Sequence, residues 1–138
     1  MPDAADFMEN VRALARRENR YDIQAYLFVF EALEFTLKRI GKRRHVTGQE
    51  LLAGIKDFAL ANFGAMGRSV FTQWGVSETA DFGRIVFSLV EAGLMSKTDA
   101  DKLDDFAGGF DFVDVFERHY VPEGITGQKK PARGKPKK

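Results

Sequence analysis

The segment from residue 22 to residue 40 constrains the fold of this chain most, because it is apolar around most of a helical circumference. Its large apolar residues recur at steps of three and four, the spacing of one face of an α-helix: Ile23, Tyr26, Phe30, Leu33, Leu37 and Ile40. A second apolar row that includes Phe28 and Val29 lies beside it. A helix that is apolar on most sides is surrounded by other elements, so we predict a buried central helix over residues 22–40. Acidic Glu31 and Glu34 interrupt the run, which argues against a membrane span of about 20 mostly apolar residues.

The end of this helix carries a cluster of cations and then a helix-start signal. Gly41 follows the last apolar position, where a glycine ends a helix in a left-handed conformation. Cations concentrate around Gly41, at the negative end of the helix dipole, and form what we call the basic turn, residues 38–44: Lys38, Arg39, Lys42, Arg43 and Arg44. Thr47 and Glu50 have the spacing of a capping box, which predicts the start of the next helix.

The basic turn therefore lies beside the N-terminus of a predicted helix. Cations next to free N–H groups form a site for an anion, so we predict that Lys42, Arg43 and Arg44 contact phosphate groups. The alternative is that these charges only solvate the loop and complement the helix dipole.

Periodic apolar residues predict four further helices. Their ranges, in chain order, are 3–18, 48–63, 65–74 and 79–92. Within the short helix over 65–74, Met66, Val70 and Trp74 are spaced by four, which places them on one side of the helix with Phe71 next to that row. Trp74, the single tryptophan, is expected to anchor the core. Either Ser77 or Thr79 is expected to cap the helix that follows.

The segment from residue 106 to residue 120 fits two structures. Phe112, Val113 and Phe116 fit a last short helix, whereas the alternation around Phe110 also fits a strand. We favour the helix. The sequence as a whole predicts an all-α fold, a compact bundle of five to six helices around the central one.

The distribution of charge divides the chain in two. The net charge is +1, yet residues 128–138 hold six bases and no acid, which leaves 15 bases against 20 acids in the rest. A tail of this composition stays disordered and can bind polyanions; the alternatives are a tail that only solubilises, or one that folds back on the acidic body. We therefore predict one helical domain over 1–124 and a disordered basic tail over 125–138.

Composition and motifs argue against several kinds of chemistry. The absence of cysteine excludes disulfides and thiol catalysis, and no secretory signal opens the chain, so we expect a cytoplasmic protein without a membrane partner. Asp81-Phe82-Gly83 matches the magnesium tripeptide of kinases but lacks every accompanying motif. The acids between Asp99 and Asp105 lack the glycine and the final glutamate of a calcium loop. We predict no enzymatic activity, no metal and no cofactor.

A winged-helix arrangement is a structural alternative for nucleic-acid binding, with helices over 47–63, 65–74 and 79–92 and a wing over 94–120. Its wing would fall in the acidic part of the chain, where residues 97–123 hold eight acids against three bases. A wing that touches phosphate should not be acidic, so this arrangement is disfavoured.

Several blocks of the sequence resemble a family of small bacterial proteins of unknown function. The blocks lie within residues 21–114 and read YDIQAYLFVFEALEFTLKR, GKRRHVTGQELLAGI, WGV, TADFGRIVFSLVEAGLMSKTDADKLDDF and GFDF. The resemblance implies a stand-alone bacterial domain, and it transfers no activity, substrate or site residue. The N-terminal helix and the lysine-rich tail lie outside the matching blocks.

Two classes of function follow from these features. The first is a non-enzymatic binding module that contacts the phosphates of RNA or DNA, in the ribosome or elsewhere, without reading sequence. Its contacts would come from Lys42, Arg43, Arg44, Lys129, Lys130, Arg133 and Lys135. The alternative is a protein–protein adaptor that uses the acidic face over residues 99–117. A carboxylate enzyme built on Glu31 or Glu34 is a third and weaker hypothesis.

Overall fold

The computed structural model describes residues 4–44, 46–95, 106 and 108–118, and these residues are helical, without a strand. The α-helices are α1 (Ala4–Glu18), α2 (Ile23–Ile40), α3 (Gly48–Phe63), α4 (Gly67–Gln73) and α5 (Thr79–Glu91). A 3-10 turn, Gly64–Met66, joins α3 to α4, and a π-helical turn, Asp114–Arg118, follows later. The predicted all-α class is confirmed for the described residues, and the predicted tail over 125–138 lies outside them.

The two ends of α2 are fixed by local capping interactions. The side chain of Asp22 accepts a hydrogen bond from the backbone N–H of Gln24 at 2.8 Å, which satisfies one free donor of the first turn. At the other end Gly41 has a φ of 88°, and its N–H donates to the carbonyl oxygen of Leu37. The predicted left-handed glycine at the end of this helix is confirmed.

The buried side of α2 differs from the row of residues that the sequence spacing predicted to be buried. Ile23, Phe30, Leu33 and Ile40, which belong to the predicted stripe, are only partly buried. The buried residues of α2 come largely from the neighbouring row: Ala25, Tyr26, Phe28, Val29, Ala32, Thr36 and Leu37. The shift follows from the position of α2, which contacts α1, α3 and α5 and therefore uses more than one of its faces.

α3 packs on α2 at a point where there is no room for a side chain. Gly54 of α3 faces Thr36 of α2, and a Cβ added at Gly54 would overlap the hydroxyl oxygen of Thr36. That hydroxyl donates to the carbonyl oxygen of Ala32 at 2.7 Å, so its position is fixed. The absent side chain at Gly54 therefore sets how closely the two helices approach.

Aromatic rings fill the space between α2, α4 and α5. Phe71 of α4 is fully buried, with its ring centroid 5.6 Å from that of Phe28 and 5.1 Å from that of Phe82. Both pairs are edge-to-face, an arrangement that aromatic quadrupoles favour. The ring centroid of Phe112, close to the π-helical turn, lies 5.1 Å from that of Phe71.

The fourth helix is buried at Phe71, which lies next to the row of Met66, Val70 and Trp74, and not along that row itself. Met66 is 61% exposed, and Val70 and Trp74 are only partly buried, whereas Phe71 is fully buried. The reason is that residues 64–66 form a 3-10 turn, whose three residues per turn break the spacing of four on which the prediction rested. Trp74 nevertheless packs on the core, with its ring centroid 5.4 Å from that of Phe28.

The residue predicted to cap α5 is also wrong. Glu78 is the N-cap and forms a capping box with Asp81, whereas Thr79 is the first residue inside the helix. The hydroxyl of Thr79 donates instead to the carbonyl oxygen of Phe106 and accepts from the N–H of Gly109. Because the hydroxyl of Thr79 bonds to distant parts of the chain, it does not cap the helix, and Glu78 occupies the capping position.

Residues 112–118 are helical, which confirms the helix favoured over a strand for this segment. Phe112 and Phe116 are 5% and 0% exposed, so this segment closes the aromatic core. Among the described residues of the region assigned to a wing, 112–118 are helical and none lies in a strand, so the described part gives no support to a wing hairpin.

Replacing Phe71 should lower the free energy of unfolding far more than replacing Met66, although both are large apolar residues in the same short part of the chain. Phe71→Ala empties a fully buried position and should lower the free energy of unfolding by about 3–5 kcal/mol. Met66→Ala, at an exposed position, should stay within about 0.5 kcal/mol of the wild type. Urea unfolding of both variants checks this, and similar losses would contradict the burial described here.

The contact between Gly54 and Thr36 predicts a compensating pair of substitutions. Gly54→Ala should lower the free energy of unfolding by about 1–3 kcal/mol, because the added methyl group overpacks the α2–α3 contact. In a Thr36→Ala background the same change should cost clearly less, because the overlapping hydroxyl is gone. A double-mutant cycle by urea unfolding measures this coupling, and strictly additive effects would exclude it.

Candidate binding surfaces

The basic turn lies on the surface between α2 and α3, and its arginines are paired with acids. Lys42, Arg43 and Arg44 are exposed. Nη2 of Arg43 lies 3.1 Å from Oε1 of Glu34, and Nη2 of Arg44 lies 2.8 Å from Oε2 of Glu50. The structure therefore brings the three predicted residues together, and it places a carboxylate beside two of them.

The predicted capping box at the start of α3 is confirmed. The backbone N–H of Glu50 donates to Oγ1 of Thr47 at 3.1 Å, and the N–H of Thr47 donates to Oε1 of Glu50 at 3.0 Å. Hydrogen bonds from Arg44 and from the Thr47 backbone lower the pKa of Glu50 to about 2. The carboxylate of Glu50 thus lies next to Arg44 and the helix N-terminus, where we predicted an external anion.

Arg43 is the arginine of the turn that remains most open to a ligand. Its side chain is 75% exposed, against 41% for Arg44. A guanidinium carries five N–H donors, so Arg43 can hold Glu34 and a second anion together. Exposed ion pairs contribute only about 0–1 kcal/mol, so exchanging Glu34 for a phosphate costs little.

Four predicted site residues lie in the tail, outside the described part of the chain: Lys129, Lys130, Arg133 and Lys135. The acid cluster between residues 99 and 105 also lies outside the described part. Predictions that rest on these residues stay predictions.

A second group of polar side chains surrounds Asp81 at the start of α5. Asp81 is 4% exposed, and its Oδ1 accepts from the hydroxyl of Tyr21 at 2.6 Å and from Nη1 of Arg84 at 2.7 Å. Its Oδ2 accepts from the backbone N–H groups of Ser77 and Glu78, at 2.9 and 3.2 Å. Asp81 therefore does more than place a negative charge in the first turn of α5, where an acid favours the helix dipole.

Burial and hydrogen bonding act on the ionisation of this group. Burial, with the hydrogen bond to Asp81 acting in the same direction, raises the pKa of Tyr21 to about 12. Burial alone would raise the pKa of Asp81, but hydrogen bonds from Tyr21 and the backbone of Ser77 and Glu78 bring that pKa below its ordinary value. Asp81 is therefore ionised at neutral pH, and it holds the guanidinium of Arg84 in place.

A surface cavity of about 360 Å³, which we call the Phe87 cavity, opens beside this group. Its lining residues are Glu18, Arg20, Tyr21, Arg84, Phe87 and Ser88. Phe87 is 43% exposed and, with Met66, is one of two large apolar side chains exposed among the described residues. The sequence analysis did not predict this site. The available signal was that Phe87 lies outside the apolar row of its helix, which is formed by Phe82, Ile85, Val86 and Leu89.

A second cavity, of about 300 Å³, lies between the start of α5 and residues 108–112. Its lining residues are Ser77, Glu78, Thr79, Gly108, Phe110, Asp111 and Phe112. Two acids that follow in the chain are paired: Glu117 lies 2.7 Å from Arg68, and Asp114 lies 3.0 Å from Arg118. We call this second opening the acidic cavity.

Little in the described residues supports an enzyme site at Glu31 or Glu34, a metal site or a membrane span. Glu31 and Glu34 are both exposed on α2, and Glu34 pairs with Arg43. Within the described ranges, His, Asp and Glu form no cluster of three or more that could hold a metal ion. None of the helices in these ranges has the length and apolar character needed to cross a membrane.

Comparison with protein-family models, with curated proteins and with solved structures finds no match to this chain. The resemblance to a family of small bacterial proteins therefore stays a prediction.

The lowered pKa of Glu50 predicts a specific loss of stability in acid. Its pKa falls from an ordinary value of 4.5 to about 2 on folding, so the folded state binds fewer protons than the unfolded state between these values. The stabilising contribution is complete above the unfolded pKa and is lost as the pH falls through the folded pKa. Glu50→Gln should therefore flatten the decline in stability between about pH 5 and pH 2.

Urea unfolding at a series of pH values measures this effect. Glu91→Gln, at an exposed position on α5, serves as the matched control and should keep the wild-type slope. Equal slopes for the wild type and Glu50→Gln would contradict the assignment.

Proposed function

We propose that the chain is a helical bundle organised around α2 that acts as a non-enzymatic nucleic-acid-binding module. One observation supports this proposal above the others: Lys42 and Arg43 stand exposed at the junction of α2 and α3, and Arg43 keeps three quarters of its side chain exposed despite its pair with Glu34. Contacts of this kind reach phosphates and carry no sequence information.

The energetics of the pair between Arg43 and Glu34 favour a role in binding over a role in stability. Its nitrogen–oxygen distance is 3.1 Å, and both side chains are more than half exposed. Such a pair contributes little to folding. A phosphate offers the guanidinium two oxygens, as the carboxylate of Glu34 does. Its binding also releases counterions from the nucleic acid, which adds a driving force that Glu34 lacks.

The basic tail would extend the same contact. Its cations, Lys129, Lys130, Arg133 and Lys135 among them, lie in a segment without acids. A segment of this kind adds phosphate contacts that raise affinity without adding specificity. RNA in a ribosomal context and DNA are both compatible partners for such contacts.

A protein–protein adaptor is the second candidate, and the acidic cavity supports it. Phe110 and Phe112 line this cavity together with Glu78 and Asp111. Aromatic side chains beside carboxylates suit a partner with a basic and apolar segment. Phe110→Ala would weaken such a partner's binding and leave nucleic-acid binding unchanged.

The nucleic-acid proposal predicts how salt affects binding by the full-length chain. Arg43→Ala should weaken binding at low salt and reduce the slope of log K against log salt by about 0.9 on duplex DNA, the value for one lost phosphate contact. Glu34→Gln should strengthen binding, because it frees Arg43 from its intramolecular partner. Fluorescence anisotropy with a labelled duplex across a salt series measures both effects.

Matched controls come from α1, where Arg12 and Glu9 form another exposed pair at 3.1 Å. Arg12→Ala and Glu9→Gln make the same changes in charge away from the basic turn and should leave the slope unchanged. A variant with Lys129, Lys130, Arg133 and Lys135 all replaced by Gln measures the share of the tail. Loss of binding in this tail variant, with no effect of Arg43→Ala, would refute a site at the basic turn.

A further inference from the structure

We propose that the Phe87 cavity is a second binding site, which takes an unpaired nucleobase of a single-stranded nucleic acid together with a neighbouring phosphate. The ligand class rests on the proposed function, whereas the site rests on residues that the basic turn does not share. The observations that carry it are the exposure of Phe87, the positions of two guanidinium groups and the volume between them.

Phe87 presents an aromatic ring where an ordinary surface helix presents a polar residue. It is 43% exposed on α5 and lines an opening of about 360 Å³. This volume lies within the range of about 300–1,000 Å³ typical of small-ligand pockets. Every nucleobase has a flat face that stacks on an aromatic side chain, so an exposed ring in such a pocket is suited to a base.

The guanidinium of Arg84 is held in a fixed position at the same cavity. Its Nη1 donates to Asp81 at 2.7 Å, and Asp81 is itself anchored by Tyr21 and by backbone N–H groups. The side chain of Arg84 is 39% exposed, so it faces solvent as well as Asp81. An arginine ordered in this way loses little further freedom when it binds a phosphate oxygen.

Arg20 contributes a second cation to the cavity. Its guanidinium carbon lies 5.5 Å from the centroid of the Tyr21 ring, within the range of a cation–π contact. The one carboxylate in the lining, Glu18, accepts from the hydroxyl of Tyr26 at 2.6 Å. The lining therefore carries two guanidinium groups and one carboxylate. Asp81 offsets part of the charge of Arg84, but a guanidinium has five N–H donors, so donors remain for an anionic ligand.

An exposed aromatic ring beside two guanidinium groups should favour a single strand over a duplex. In a duplex both faces of every base are already stacked, so a ring on the protein surface gains access only to unpaired bases. Phosphates are present in both forms. A site that depends on Phe87 should therefore distinguish the two, whereas the basic turn should not.

The test uses the full-length chain and three labelled probes of equal length at fixed ionic strength: a single strand, the corresponding duplex and a strand with abasic sites. Phe87→Leu keeps the side chain apolar and removes its aromatic face. It should weaken binding of the single strand by about five- to 150-fold, the factor that corresponds to the usual energy of one stacked base. Its binding of the duplex and of the abasic strand should match that of the wild type.

Two further variants sharpen the test. Met66→Leu changes the other exposed large apolar side chain among the described residues and should bind every probe as the wild type does. Arg84→Lys retains the charge but loses the planar fork, so it should weaken binding of the single strand while leaving the duplex unaffected. Circular dichroism melting shows that each variant is folded.

Three results would overturn this proposal. One is unchanged single-strand binding by Phe87→Leu; another is equal binding of the abasic and intact strands by the wild type. If either occurs while Arg43→Ala still weakens the duplex, the nucleic-acid function stands and only the Phe87 site fails. The third is the absence of binding to any probe at low salt, which would refute both proposals.

Discussion

The ring of Phe28 is the point at which four helices meet, and the arrangement of the rest depends on it. It belongs to α2, and its centroid lies between 5.4 and 6.2 Å from those of five aromatic rings contributed by α3, the α4 region and α5: Phe58, Phe63, Phe71, Trp74 and Phe82. Each aromatic pair adds about 0.5–1.5 kcal/mol beyond the burial of its area. Because one side chain is shared among so many contacts, the positions of α3, α4 and α5 relative to α2 are interdependent.

The sequence predicted those parts of the fold that are decided locally. Gly41 ends α2 and Thr47 begins α3 because glycine geometry and a capping box act within a few residues. Predictions from the sequence failed where contacts with neighbouring turns or with distant parts of the chain determine the structure. Two apolar rows lie side by side on α2, and only the placement of the other helices determines which is buried. Met66 was misplaced because periodicity does not register a 3-10 turn, and Thr79 because its hydroxyl is engaged by Phe106.

For the candidate sites too, local features could be predicted and contacts between distant residues could not. The exposure of Lys42, Arg43 and Arg44 could be predicted, because cations cluster after a helix that must end there. Their partners could not, because Arg43 and Glu34 are nine residues apart and the path of the loop decides whether they meet. The hydrogen bond between Tyr21 and Asp81 spans 60 residues and leaves no periodic trace in the sequence. Without that bond there is no reason to expect an ordered arginine beside Phe87.

The position of Trp74 gives this protein an internal reporter. It is the sole tryptophan of the chain, its ring packs on Phe28, Phe63 and Phe71, and its carbonyl oxygen accepts a hydrogen bond from the backbone N–H of Asp22. Its indole is only partly buried, so its emission wavelength depends on how tightly the end of α4 is held against the start of α2. A single fluorophore therefore senses the contact between these helices, and its emission follows local separation of α4 from α2 as well as global unfolding.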